Sequence, residues 1–163
     1  MYESRPRPAE KEALYALMQA QLEALVEGER NTVANLANAS ALLMDSLDRI
    51  NWAGFYLMDG GELVLGPFQG KPACIRIPLG KGVCGTAAQM RQTQRVADVH
   101  AFPGHIACDS ASNSEIVVPL CAAGAVVGVL DIDSPEKDRF DAADQAGLEA
   151  LARVLEAACD WRR

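Results

Sequence analysis

Apolar residues recur at helical spacing near both ends of the chain. One amphipathic helix is predicted between Pro8 and Gly28. A second is predicted between the N-cap Asn31 and Asn51, and a third begins at the N-cap Asp141. The residues of the three apolar faces are Leu14, Leu17, Leu22 and Leu25; Leu36, Leu43 and Leu47; and Leu148, Leu151 and Leu155. Each predicted helix therefore has one face suited to covering a sheet.

The middle of the chain has the short, alternating apolar segments that are typical of strands. The turn Asp59-Gly60-Gly61 predicts a hairpin between the first two of them. The predicted strands are 51–59, 63–65, 74–78, 94–96, 115–121 and 125–133. Helices at both ends and strands between them predict an α+β fold, an antiparallel β-sheet of about six strands flanked by N-terminal and C-terminal helices.

Two segments interrupt this series of strands. Residues 80–85 (GKGVCG) predict a turn into a short helix that ends near Gln92. They lack the four-residue spacer of a phosphate-binding loop, so no phosphate site is predicted. Residues 98–114 show no periodicity, and a structureless loop of that length inside a compact domain is usually functional.

Composition narrows the class of protein. The 163 residues are half hydrophobic, which suffices for a single domain over 1–163. The formal net charge of −7 disfavours nucleic acid and anionic membranes as partners. Residues 1–9 contain no apolar stretch of the secretory type. We therefore expect a cytoplasmic protein with a flexible N-terminal arm at 1–9.

Acidic and aromatic side chains share strand faces, because residues two apart point the same way. Asp131 and Asp133 end an otherwise apolar row, and Glu115 opens the paired strand. Their positions favour carboxylates in water just past the sheet edge, with a half-buried acidic pair of raised pKa as the alternative. Trp52 and Tyr56 are interpreted as core aromatics, or as an aromatic wall for a cationic or sulfur-bearing ligand.

The five cysteines differ in their surroundings. Cys121 and Cys159 fall in apolar segments and are predicted to be small buried side chains. Cys84 falls in the first turn of the predicted short helix, where the helix dipole favours a thiolate. Cys108 lies in the long loop near His100 and His105, but no motif there supports a hydrolase pair. An odd number of cysteines fits a reducing compartment, with some thiols kept for chemistry.

Zinc is the competing interpretation of these thiols. The ligands would come from Cys74, Cys84, Cys108 and the two histidines. No two of these cysteines have the close spacing of structural zinc sites. We therefore predict no metal.

Five motifs together resemble the free methionine-(R)-sulfoxide reductases. They are 51–56 (NWAGFY), 80–86 (GKGVCGT), 102–109 (FPGHIACD), 114–119 (SEIVVP) and 130–134 (LDIDS). The likeness extends over about residues 10–160. These enzymes are small, cytosolic and built on a single GAF domain, so the resemblance implies a GAF-like sheet.

The resemblance also implies a role for eight residues. Cys108 is the nucleophile, Cys84 the resolving cysteine and Cys74 a further disulfide partner. The remaining five are substrate-binding: Glu115, Asp131 and Asp133 around the sulfoxide oxygen, and Trp52 and Tyr56 as the aromatic wall.

The implied activity is reduction of free L-methionine-(R)-sulfoxide to L-methionine, which protects against oxidative damage. No cofactor is bound; thioredoxin supplies the reducing equivalents, which come from NADPH through thioredoxin reductase. Homodimers are common among related proteins, and the N-terminal helix is a candidate interface. The alternative is a non-catalytic GAF module that senses a small ligand; most such modules lack these cysteines.

Overall fold

The computed structural model describes residues 2–106 and 108–162. Met1 of the predicted arm, Ala107 of the predicted loop and Arg163 lie outside them. The helices of the described residues are α1 (Lys11–Val26), α2 (Thr32–Ser46), α3 (Gly82–Met90) and α4 (Ala142–Ala158). The strands are β1 (Trp52–Asp59), β2 (Glu62–Gly70), β3 (Arg76–Pro78), β4 (Gln94–Val96), β5 (Ser114–Ala122) and β6 (Ala125–Ser134).

The six strands form one antiparallel sheet in the order β3-β2-β1-β6-β5-β4. This confirms the predicted α+β architecture. The central strands β1, β6 and β5 carry the predicted acidic and aromatic residues, so the sheet itself brings those side chains together. None of the helices in the described ranges has the length and hydropathy needed to cross a bilayer.

The two faces of the sheet have different coverings. On one face Ala53, Phe55 and Leu57 of β1 pack in the core with α1, α2 and α4. On the other face Trp52 and Tyr56 pack with residues of α3. Alternation along β1 thus divides the main core from the side that holds the candidate site.

Helix α1 is rotated relative to the prediction. Its buried side chains are Tyr15, Met18, Leu22 and Val26, whereas the predicted core residue Leu17 is only half-buried. The cause lies in α4: Gly147 has no side chain, so the Tyr15 ring packs directly against its backbone. The Tyr15 hydroxyl also donates a 2.8 Å hydrogen bond to Asp144.

Both predicted N-caps are present. The Asn31 side chain accepts a hydrogen bond from the Ala34 amide, and Asp141 forms a capping box with Asp144. The third predicted strand is shorter than expected, because β3 begins at Arg76. Cys74 consequently lies in the loop before the strand.

Candidate active site

A narrow cavity lies between the sheet, α3 and the predicted functional loop. Seven of the eight predicted site residues line it: Trp52, Tyr56, Cys84, Cys108, Glu115, Asp131 and Asp133. The eighth, Cys74, is joined to Cys108 by a disulfide. The fold therefore brings together all eight side chains from six different segments.

The three acidic residues are held by the pairing of the central strands. Glu115 of β5 lies opposite Asp133 of β6, and Asp133 lies opposite Trp52 of β1. Glu115 is 7% exposed and Asp131 is 5% exposed. The expectation that Asp131 and Asp133 sit in water past the sheet edge is wrong, because β6 continues to Ser134 and both residues remain inside the sheet.

Burial changes the protonation of these carboxyls. Loss of hydration raises the pKa of Glu115, Asp131 and Asp133, and for Glu115 and Asp133 the negative charge of Asp131 raises the pKa further. Within residues 2–106 and 108–162, the Oδ1 atoms of Asp131 and Asp133 are buried without a hydrogen-bond partner. The raised pKa values favour the protonated forms of these carboxyls, and two of the residues that line the cavity have unused hydrogen-bonding capacity.

The aromatic side chains form one stacked wall. The ring centroids of Trp52 and Tyr56 lie 6.0 Å apart, and Phe68 stacks on Trp52 at 5.1 Å. The Trp52 indole N–H donates to the Lys71 carbonyl, and the Tyr56 hydroxyl donates to the Cys74 carbonyl at 2.9 Å. The wall therefore has an apolar surface toward the cavity and also fixes the backbone that carries Cys74.

The loop cysteine Cys108 is covalently bonded to Cys74. Their Cα atoms are 5.5 Å apart, and both residues are half-buried. Disulfide-bonded sulfurs cannot serve as thiolate ligands, so two of the cysteines of the alternative zinc site are excluded in this form. The bond also differs from the disulfide that the resemblance implied first, since the partner of Cys108 is Cys74 and not Cys84.

Cys84 has surroundings that oppose a thiolate. It lies in the first turn of α3, as predicted, but its thiol is buried and donates a weak 3.8 Å hydrogen bond to Oε1 of Glu115. Burial raises the pKa of Cys84 well above its ordinary value, and the nearby charges of Asp131 and Glu115 raise it further. The expectation of an activated Cys84 thiolate is therefore wrong, because desolvation and three acids outweigh the helix dipole.

The other two cysteines lie away from the cavity. Cys159 is buried beside Asn35, as expected. Cys121 is only half-buried, so the prediction of a small buried side chain is wrong there. Neither residue lines the cavity.

Asn51 is a functional candidate that sequence reasoning missed. Its side-chain amide donates to Asp109 at 3.1 Å and to Ser112 at 3.2 Å. Its backbone N–H donates to the Asp133 carbonyl. Asn51 therefore ties the loop of Cys108 to the edge of the acidic cluster. The sequence feature that could have identified Asn51 was its position immediately before the strand that begins with Trp52.

His105 also lines the cavity. Partial burial lowers its pKa, and the neighbouring His100 lowers it further. A neutral imidazole is thus favoured next to the Cys108 loop. The sequence marked this histidine by its place in the loop but indicated no role for it.

Comparison with known proteins defines the class of the fold. The GAF domain family matches residues 33–160. The free methionine-R-sulfoxide reductase of Escherichia coli is 56% identical over 146 residues, which cover 90% of this chain and 88% of that protein. The chain belongs to the free methionine-(R)-sulfoxide reductases, a family of GAF-domain oxidoreductases, as the motifs indicated.

Solved structures agree with this assignment. The free methionine-R-sulfoxide reductase from Neisseria meningitidis, solved in complex with its substrate, has 48% identity and a TM-score of 0.93, covering 97% of this chain and 95% of that one. The reduced form of the enzyme from Staphylococcus aureus has 53% identity and a TM-score of 0.87, covering 97% and 99%.

Proposed function

We propose that this protein reduces free L-methionine-(R)-sulfoxide to L-methionine with Cys108 as the nucleophile. The observation that carries the proposal is the location of Cys108 at a cavity lined by three carboxyls of raised pKa, of which two are buried and Asp133 is half-buried. A sulfoxide is reduced only if its oxygen is protonated as it leaves. The cavity combines a thiol with groups able to deliver those protons.

The first step forms a bond between the Cys108 sulfur and the sulfoxide sulfur. The Cys108 thiolate attacks the sulfoxide sulfur while a carboxyl of the acidic cluster protonates the oxygen. The protonated oxygen then moves to the Cys108 sulfur as a hydroxyl group. The S–O bond of the substrate and the new S–S bond both break, so methionine leaves and Cys108 remains as a sulfenic acid. The sulfoxide sulfur gains two electrons, and Cys108 loses two.

The second step forms the disulfide. The thiol of Cys74 attacks the sulfenic acid of Cys108, and water leaves. We assign resolution to Cys74, because Cys74 is already bonded to Cys108 whereas Cys84 remains a buried thiol beside Glu115. Cys84 then contributes to the wall of the substrate pocket.

The third step regenerates the thiols. Thioredoxin, reduced by NADPH through thioredoxin reductase, exchanges with the disulfide and restores Cys74 and Cys108. Two observations support this step: both cysteines are half-buried and so within reach of a protein dithiol, and Ile75 beside Cys74 is a large apolar side chain that is 68% exposed. All electrons pass through thiols, so the scheme needs no bound cofactor or metal.

The cavity favours a free amino acid over a methionine residue in a protein. The unpartnered Oδ1 atoms of Asp131 and Asp133 are suited to accept hydrogen bonds from an ammonium group or from the protonated sulfoxide oxygen. A methionine residue inside a peptide has no ammonium group, so the oxygen atom that this group would partner stays unpaired. The physiological role is removal of an oxidised amino acid, and thus protection against oxidative damage.

The remaining features complete the proposal. We place the reaction in the cytoplasm, where the thiols of Cys84, Cys121 and Cys159 stay reduced.

Residues 1–163 act as one domain with an N-terminal arm at 1–9; within this arm Tyr2 and Ser4 hydrogen-bond to Asp45. A homodimer through α1 would use its outward side, which includes the half-buried Leu17.

A coupled assay tests the function. NADPH consumption with thioredoxin, thioredoxin reductase and free methionine-(R)-sulfoxide should be abolished by Cys108→Ser and unchanged by Cys121→Ser. We expect a preference for the free amino acid over a peptide of roughly 10²-fold or more. Comparable turnover of the two would contradict the free-substrate assignment. Inactive wild-type protein that still binds the sulfoxide would instead support the GAF sensor alternative.

A further inference from the structure

We propose that Cys84, Glu115 and Asp131 bind a thiophilic divalent cation such as Zn²⁺, and that the bound cation excludes the substrate. One potential ligand atom from each residue lies within 4.8 Å of the others. All three residues are buried and line the same cavity. The inhibitory part of this inference rests on the proposed function; the binding part does not.

The donor set fits zinc better than the common hard cations. A thiolate with two carboxylates suits a borderline-soft ion in tetrahedral coordination. Magnesium prefers octahedral sites made of oxygen and water. The site is thus selective through Cys84, the one sulfur among its three donors.

The unpaired oxygens are the independent sign of a ligand. Asp131 is 5% exposed, and its Oδ1 atom is buried with no hydrogen-bond partner among the described residues. Asp133 also lines the cavity, and its Oδ1 atom is likewise buried with no hydrogen-bond partner among the described residues. A buried polar atom without a partner is costly, and a cation bound by the three residues would be a partner for the Asp131 oxygen.

The ligands are carried by rigid elements. Glu115 belongs to β5, Asp131 to the adjacent strand β6, and Cys84 to the first turn of α3. None of them lies on the loop of Cys108. We therefore expect the site to form whether Cys74 and Cys108 are bonded or reduced. It shares only Cys84 with the zinc set that the sequence suggested.

A cation in this position would stop the chemistry. The carboxyls that protonate the sulfoxide oxygen would be metal ligands and unable to donate protons. The ion would also occupy the space of the oxygen and its surrounding hydrogen bonds. Substrate and cation should consequently compete.

Cadmium titration of the full-length chain tests the binding directly. Protein with the Cys74–Cys108 disulfide intact is freed of metal and titrated with Cd²⁺, and the ultraviolet thiolate-to-cadmium charge-transfer absorption is recorded. We expect one equivalent per chain in the wild type and in the matched control Cys121→Ser. The band should be absent in Cys84→Ser and Cys84→Ala, and the affinity at least tenfold weaker in Asp131→Asn.

Competition experiments complete the test. Zn²⁺ should displace Cd²⁺ from the wild type, and Mg²⁺ should not. In Cys108→Ser, which cannot turn over, saturating methionine-(R)-sulfoxide should weaken the Cd²⁺ affinity at least tenfold. A missing band, a band that survives in both Cys84 variants, or an affinity that Asp131→Asn leaves unchanged would overturn the metal site. Undiminished affinity in the presence of substrate would overturn the exclusion. Cd²⁺ binding through Cys84 in a protein without reductase activity would refute the proposed function alone.

Discussion

The side-chain amide of Asn51 donates a 3.1 Å hydrogen bond to the carboxylate of Asp109, the residue that follows Cys108. A second bond from the same amide reaches Ser112. Asn51 is fixed at the start of β1 by a backbone hydrogen bond to Asp133. The loop of Cys108 is thus attached to the strand pair that carries the acidic residues.

Removal of this attachment should impair catalysis more than folding. Two hydrogen bonds of about 1 kcal/mol each hold the loop, so Asn51→Ala should lower kcat/KM by about tenfold or somewhat more. Steady-state kinetics with the thioredoxin system would measure the change. The matched control is Asn38→Ala, an exposed amide on α2, which should have wild-type kinetics. Equal kinetics for the two variants would show that the attachment has no catalytic role.

The raised pKa values of the acidic cluster predict a decline of the reaction toward alkaline pH. The acid must carry a proton to transfer it, so the rate falls as pH rises through the raised pKa. Glu115→Gln keeps the shape of the side chain but cannot donate a proton in this way, and should lower the single-turnover rate by roughly 10²-fold. Stopped-flow measurement of methionine formation over a series of pH values would record both the alkaline decline and the lower rate of the variant. A wild-type rate in Glu115→Gln would exclude Glu115 as the proton donor.

The same carboxyls make stability depend on pH. Because the folded pKa of Glu115 is raised, the folded state binds more protons than the unfolded state above the ordinary carboxyl pKa, and the free energy of unfolding falls as pH rises. Glu115→Gln should therefore gain stability relative to wild type between about pH 5 and about pH 8. Urea unfolding at both pH values measures this; a pH-independent difference between the proteins would contradict it.

Ile75 provides a test of the recycling step. Its side chain is 68% exposed next to the disulfide, so Ile75→Ser should raise the KM for thioredoxin several-fold by removal of apolar contact area. Turnover with a small dithiol should not change, because that reductant needs no docking surface. The control is Val33→Ser, which removes an equally exposed side chain from α2. An unchanged KM for thioredoxin would place its docking surface elsewhere.

Helix caps and strand faces were predictable from the sequence because they depend on residues that are close together in the chain. The caps Asn31 and Asp141 begin their helices as expected, and alternation correctly placed Trp52 and Tyr56 on one face of β1. The rotation of α1 was not predictable from spacing, since it depends on the contact between Tyr15 and Gly147 of a helix distant in sequence.

The grouping of the eight candidate residues was predictable from the sequence, but their chemical state was not. The motifs named the residues that the fold brings together, yet the state of Cys84 depends on acids from two other strands. Helix position alone indicated a thiolate, and burial beside Glu115 and Asp131 reverses that conclusion. The bond between Cys74 and Cys108 likewise depends on where two loops meet.

Single turnover with analysis of the cysteines tests the central claim most directly. Fully reduced protein is mixed with excess free methionine-(R)-sulfoxide and no reductant, then examined by amino-acid analysis and mass spectrometry. The account predicts one methionine per chain, a Cys74–Cys108 disulfide and a free Cys84 in the wild type. Cys74→Ser should stop at a sulfenic acid on Cys108, and Cys108→Ser should form no methionine. Methionine formation by Cys108→Ser at the wild-type level would contradict the account.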